Sequence, residues 1–111
     1  MNQVALTASN FSETLDKHEI VLLDFWATWC EPCKAFSKVV EQVAPLYPKV
    51  LFASIDIDKE AELAQDFNIR AVPMVMILKQ RVAVYAESGA LTAVALRELL
   101  DKAMTLSVDE L

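Results

Sequence analysis

The segment IVLLDFWATWCEPCK, residues 20–34, decides the fold because it joins a strand pattern to a helix pattern through a loop that carries both cysteines. Residues 20–27 form a nearly continuous apolar run of eight, which is typical of a strand covered by helices on both faces. From Cys33 onward apolar residues recur at intervals of three and four, until Pro45 and Pro48 restrict the helix. The segment predicts a central strand followed directly by a long amphipathic helix.

The N-terminal part of the chain repeats this alternation. A short strand is predicted at residues 4–6, before a helix marked by Phe11 and Leu15 that either Thr7 or Ser9 caps. After the long helix, a strand at residues 50–57 precedes a short helix that Asp58 caps. Strand and helix therefore alternate up to residue 67.

The C-terminal part adds two strands in succession. Residues 74–78 and 82–86 flank Lys79-Gln80-Arg81, a spacing that fits an antiparallel hairpin, and Thr92 can cap a closing helix. The order β, α, β, α, β, α, β, β, α predicts an α/β fold with a central mixed sheet flanked by helices on both faces.

Length and composition limit the possible functions. A chain of 111 residues fits one domain, 1–111, and we expect residues 105–111 to be a flexible tail. The apolar runs are too short to span a membrane, and a net charge of −6 with scattered basic residues argues against nucleic acid as a partner. The N-terminus has no basic or apolar region of a secretory signal, which predicts a cytoplasmic protein.

The two cysteines, Cys30 and Cys33, are close enough to form a local disulfide. Cys30 is expected at the exposed, positive end of the helix dipole, which favours a thiolate and makes it the nucleophile. Cys33, one turn later, is expected to be more buried and to resolve a mixed disulfide. The alternatives are that the cysteines form half of a zinc site, or that they are two small buried apolar residues. A zinc site would need two more good ligands, and His18 is the one that the sequence offers, so we predict no metal.

The stretch from Asp24 to Lys34 closely resembles the active-site signature of the thioredoxin family, and Ala71-Val72-Pro73 lies where that family has its cis-proline. The similarity runs in register from about Leu6 to Leu100. It implies the thioredoxin fold and reduction of disulfides in target proteins by exchange through Cys30 and Cys33. It also implies electrons from NADPH through a thioredoxin reductase. The chain has no nucleotide-binding motif of its own, so we expect no bound cofactor, and a monomer is the default expectation.

The resemblance further implies roles for residues around the cysteines. Asp24, an acid within an apolar strand, would carry the proton of Cys33. The alternative is a strand-edge acid satisfied by solvent or by a backbone N–H. Pro73 would follow a cis peptide and leave the Val72 backbone free to pair with an extended substrate; an ordinary strand-start proline is the alternative. The residues implied to contact substrate are Trp29, Glu31, Pro32, Val72, Pro73 and Ala90.

Some positions depart from the family pattern. Glu31 replaces a glycine and either opposes formation of the Cys30 thiolate or remains a solvated first-turn acid. Ser54 occupies the position of a lysine near the buried acid, so the pKa of Asp24 is expected to be unusually high. The sequence leaves two rival functions open. One is a specialised oxidant or isomerase, and the other is a docking module in which the cysteines are incidental.

Overall fold

One mixed sheet organises the computed structural model, which describes residues 3–110. The strand order is β1-β3-β2-β4-β5; β1 and β2 run parallel to β3, and β4 is antiparallel to both β2 and β5. The sheet therefore confirms the predicted α/β fold and the central position of β2. The strands are β1 Val4–Ala5, β2 Ile20–Trp26, β3 Val50–Asp56, β4 Met74–Lys79 and β5 Val82–Ser88.

Helices cover both faces of the sheet. Successive side chains of β2 point in opposite directions, so β2 contributes residues to an apolar cluster on each face. Ile20 and Leu22 enter the apolar cluster that contains residues of α2 and α4, whereas Leu23 and Phe25 enter the cluster that contains Leu15 of α1. Residues buried on both faces explain the continuous apolar run. The helices are α1 Phe11–Lys17, α2 Glu31–Val43, α3 Ala61–Asp66 and α4 Ala93–Thr105, with 3₁₀ turns at Ala44–Leu46 and Val108–Glu110.

The predicted helix caps were partly wrong. Thr92 does cap α4, because its hydroxyl accepts from the Ala95 N–H at 3.1 Å. Neither Thr7 nor Ser9 caps α1, since the N-cap position is Asn10 and carries no side-chain cap bond. The predicted cap Asp58 lies two residues before the N-cap position of α3, which is Glu60 and also lacks such a bond. Pattern alone placed these helices correctly but not their first residues.

The hairpin between β4 and β5 turns through Gln80 and Arg81, which have φ angles of 51° and 67°. Positive φ at both central residues is what a type I′ turn requires, and that turn matches the twist of the flanking strands. Glycine or asparagine usually occupies these two positions, and this chain has neither. The hairpin was therefore predicted from the spacing of the two strands and not from a turn signal.

Lys79 is buried at the end of β4, although the sequence placed it in the turn. Its ammonium donates to the carbonyl oxygens of Ala103, Met104 and Leu106 at 2.8, 3.2 and 2.6 Å. These carbonyls end α4, where a cation complements the helix dipole and satisfies acceptors left by the helix. The charge is therefore buried without a carboxylate partner in the described chain.

The C-terminal segment is helical in part. Thr105 closes α4, and the 3₁₀ turn begins three residues later, at Val108. The division into one domain with a tail at 105–111 stays a prediction, and its residues Met1, Asn2 and Leu111 lie outside the described residues.

Candidate redox site

Cys30 and Cys33 form a disulfide at the first turn of α2, with their Cα atoms 5.3 Å apart. Cys30 is the N-cap residue, and its sulfur accepts the Cys33 N–H at 3.2 Å. Pro32 stands in the first turn, where its fixed φ suits a helix start and its missing N–H has no intrahelical partner to lose. The sequence thus places the Cys30 sulfur at the positive end of the helix dipole.

Both cysteines are buried in this oxidised form, with 4% exposure for Cys30 and 3% for Cys33. The prediction that Cys30 is exposed was wrong for this state. The reason is local packing: the two cysteines and Ala27 form an apolar cluster against which Ile57 and Val72 pack. A spacing rule places the sulfur at the helix terminus but does not show what the neighbouring loops cover.

Trp29 is the exposed aromatic of the site, with 66% of its surface accessible. Its indole Nε1 donates to Asp58 Oδ2 at 3.0 Å, which ties the cysteine loop to the segment after β3. Sequence reasoning missed Asp58 as an anchor. A signal was present, because the carboxyl ends of the parallel strands β2 and β3 lie at one sheet edge and bring the segments that follow together.

Pro73 follows a cis peptide, as expected, and is buried directly before β4. Its carbonyl accepts the Gly89 N–H at 2.8 Å, and exposed Ala90 follows Gly89 in sequence. Since Val72 packs against the cysteines, Val72, Pro73 and Ala90 lie on the same side of the molecule as the disulfide. Glu31 and Pro32 are exposed at the start of α2.

Asp24 lies within β2, paired in register with Ser54 on one side and Val75 on the other. Only 2% of its surface is exposed, and its Oδ1 has no hydrogen-bond partner among the protein atoms. Burial raises the pKa of Asp24 to about 7, because the charged carboxylate loses its hydration. The alternative of a strand-edge acid satisfied by solvent or a backbone N–H is therefore wrong, because β2 is a central strand and Asp24 is buried with an unpartnered oxygen.

Glu31 pairs with Lys34 at 3.2 Å, and both side chains are mostly exposed. Exposed pairs contribute little to stability, but this pair sets a carboxylate and an ammonium beside the cysteine loop.

Among residues 3–110, no three or more His, Cys, Asp or Glu side chains converge as metal ligands. His18 ends α1 and is exposed. No helix in this part of the chain has the length and apolarity to cross a bilayer.

Comparison with known proteins gives consistent results. The family model for thioredoxin matches residues 2–102. "Putative thioredoxin 2" of Streptomyces coelicolor is 44% identical over 107 residues, covering 96% of this chain and 80% of the relative. "Thioredoxin" of Buchnera aphidicola is 33% identical over 105 residues, covering 92% and 97%.

Solved structures agree with the sequence relatives. A mutant thioredoxin from Halobacterium salinarum superposes with a TM-score of 0.88 at 26% identity, covering 96% of this chain and 94% of that one. Oxidised thioredoxin from Plasmodium falciparum gives 0.80 at 30% identity, covering 90% and 96%. A matching sequence family, the shared mixed sheet and a disulfide at the helix start lead to one conclusion: this chain belongs to the thioredoxin family and is a thiol–disulfide oxidoreductase.

Proposed function

We propose that the protein reduces disulfides in target proteins, with Cys30 as the nucleophile. The observation that carries this assignment is the position of the Cys30 sulfur, which caps α2 and accepts the Cys33 N–H. After reduction, the same amide and the helix dipole stabilise a thiolate at that position. The Cys30 thiolate attacks one target sulfur, forms a mixed disulfide, and releases the other target sulfur as a thiolate.

Cys33 completes the exchange. Its thiolate attacks the Cys30 sulfur, so that the Cys30–Cys33 disulfide forms, the second target thiolate leaves, and two electrons pass to the target. Asp24 accepts the Cys33 proton, because a carboxyl with a pKa of about 7 exchanges protons readily near neutral pH. Asp24 and Cys33 line the same cavity, which supports this role.

The target binds where the apolar and backbone groups around the disulfide are accessible. Exposed Trp29 and Ala90 offer contact area, and the Val72 backbone beside Pro73 pairs with an extended target segment. Glu31 and Pro32 contact the target from the start of α2.

Electrons for the next cycle come from NADPH through a thioredoxin reductase, so the chain itself needs no bound cofactor. We place this cycle in the cytoplasm and expect a monomer that acts on disulfide-containing proteins, not on nucleic acid or membranes. The test is to incubate the NADPH-reduced reductase with the oxidised protein and follow NADPH absorbance. NADPH consumption would support this donor. The absence of NADPH consumption with each of several thioredoxin reductases would reject it.

Single cysteine variants test the assignment. Cys33→Ser should trap a disulfide-containing target protein as a stable mixed disulfide, because the resolving thiol is gone. Cys30→Ser should trap little and should reduce nothing, although it retains one cysteine and is the matched control. Trapping by Cys30→Ser instead would reverse the roles, and full target function with both cysteines replaced would favour the docking module.

A further inference from the structure

The disulfide lies on one edge of the sheet, and the segments on this edge follow the strand order. β2 and β3 are parallel and end there, β4 begins there because it is antiparallel to β2, and β5 ends there because it is antiparallel to β4. In the spatial order β3-β2-β4-β5, the segments beside these strand ends carry Asp58, Cys30, Val72 and Ala90. Neighbouring strands stand about 4.8 Å apart, so this row spans roughly 14 Å.

An exposed apolar side chain stands at each end of this row. Trp29 is bonded to Asp58 at the β3 end, and Val94 lies in the first turn of α4, which begins soon after β5 ends. They are 66% and 68% exposed, the two highest values for large apolar side chains among the residues that the structure describes. The disulfide therefore lies between two exposed apolar groups.

Val94 takes no part in the core. The buried residues of α4 are Leu96, Leu100 and Ala103, and at about 100° per residue Val94 is at least about 120° from each of them around the helix axis. Side chains of a helix also tilt toward its N-terminus, which for α4 is the edge that carries the disulfide. Because a β-branched valine is a weaker helix former than alanine, neither core packing nor helix formation explains it at this position.

The chain around Val94 favours an apolar contact. Residues 89–96, GALTAVAL, contain no charged side chain. Half-buried Leu91 and Ala93 pack against the core cluster, which leaves Ala90 and Val94 exposed. A partner that continues from the disulfide past Ala90 would therefore meet apolar surface and no ion-pair partner in this segment.

We propose that Val94 is a specificity-determining residue that receives a large apolar side chain of the target protein. The proposal rests on the proposed function, in which an extended target segment passes Val72 and Ala90. Val94 lies about two strand spacings or slightly more from Cys30, roughly 10–15 Å, and an extended chain advances about 3.3 Å per residue. The apolar side chain is therefore three to five residues from the attacked cysteine, on one side of it.

The experiment measures the oxidation of the reduced protein by peptide disulfides in a single turnover, followed by stopped-flow tryptophan fluorescence. Each peptide is a symmetric disulfide dimer of a Gly-Ser chain with one cysteine, so attack on either sulfur gives two peptide thiols and the Cys30–Cys33 disulfide. No reductase is needed. One series moves a single Leu from five residues before the cysteine to five residues after it, and the reference peptide has no Leu.

Leu at three to five residues on one side should raise the second-order rate constant ~5-fold over the reference peptide, as expected if the contact buries roughly 40 Å² of apolar surface. Val94→Ser should remove this gain and leave the reference rate constant unchanged, which a general structural defect would not do. Val94→Ile retains a large apolar side chain and should keep the gain.

Met104→Ser is the matched control. It removes an exposed apolar side chain from the last turn of the same helix, at the opposite edge of the sheet, and should change neither rate constant. Far-UV circular dichroism reports whether each variant is folded. If Val94→Ser is not folded, Val94→Ala takes its place, because alanine is the better helix former.

The proposal is overturned if Leu raises the rate constant at no position, or if Val94→Ser keeps the gain. It is also overturned if a second copy of the chain covers Val94, seen as a dimer at the assay concentration that Val94→Ser abolishes. Failure of every peptide, including the reference, to oxidise the reduced protein would overturn the proposed function together with this inference. Oxidation by the reference peptide without a Leu effect would overturn this inference alone.

Discussion

Removing the ionisable group at Asp24 should stabilise the protein in a pH-dependent manner. The folded state raises the pKa of this carboxyl from 3.8 to about 7, so ionisation is harder in the folded than in the unfolded chain. The sign is opposite to that of a salt-bridged acid: Asp24 costs nothing below the unfolded pKa, and its cost grows as pH rises through the window from about 4 to 7. Above pH 7 the cost is constant.

The magnitude follows from linkage. Each pKa unit corresponds to about 1.4 kcal/mol, so the shift corresponds to roughly 4 kcal/mol, reached at a slope of about 1.4 kcal/mol per pH unit. Asp24→Asn has nearly the same shape and cannot ionise. The difference in unfolding free energy between this variant and the parent chain should therefore increase by about 4 kcal/mol from pH 4 to pH 9.

The assay is urea unfolding of both oxidised proteins at pH 4, 5, 6, 7 and 9, followed by far-UV circular dichroism. Subtracting the two curves cancels the titration of groups that both chains share. A difference that stays constant from pH 4 to pH 9 would refute the reasoning, because it would show that Asp24 ionises as easily in the folded chain as in the unfolded one. A difference that falls with pH would show that its pKa is lowered.

Three further changes test the fold by the same urea assay. Lys79→Met should lower the unfolding free energy by ~2–4 kcal/mol, because it leaves the carbonyls that end α4 without their donor. The control Lys59→Met, at an exposed position, should change the unfolding free energy by less than about 0.5 kcal/mol. Equal effects of the two substitutions would contradict the capping role of Lys79. Thr92→Ala should cost ~1 kcal/mol through loss of the α4 N-cap, and no loss would show that the bond to Ala95 contributes nothing. Gln80→Gly should raise stability by ~0.5–1 kcal/mol, since glycine accepts the positive φ of the turn, and a loss of stability would argue against that backbone conformation.

The sequence predicted most of the architecture because its apolar pattern is local and strong. The run from Ile20 matches β2 in position and in burial, and the three- and four-residue spacing after Cys33 matches the buried residues of α2. The mixed sheet followed from the order of elements, since the two adjacent strands near the C-terminus require an antiparallel pair.

Long-range contacts could not be predicted in this way. The burial of Cys30 depends on Ile57 and Val72, which are distant in sequence, and the bond from Trp29 to Asp58 joins segments 29 residues apart. The sequence placed Lys79 in the turn, because nothing local shows that the end of α4 lies beside it. The unpartnered oxygen of Asp24 likewise requires the three-dimensional neighbours of β2.

Reduction by the Cys30–Cys33 pair is tested most directly by its reduction potential. The protein is equilibrated in graded dithiothreitol or glutathione buffers, the fraction oxidised is read from tryptophan fluorescence, and the Cys30→Ser variant serves as the control without a transition. We predict a single two-electron transition near the value of about −270 mV that is typical of thioredoxins. A transition near −120 mV, typical of strong oxidants, would contradict a disulfide reductase, and the absence of any transition would contradict redox function at this pair.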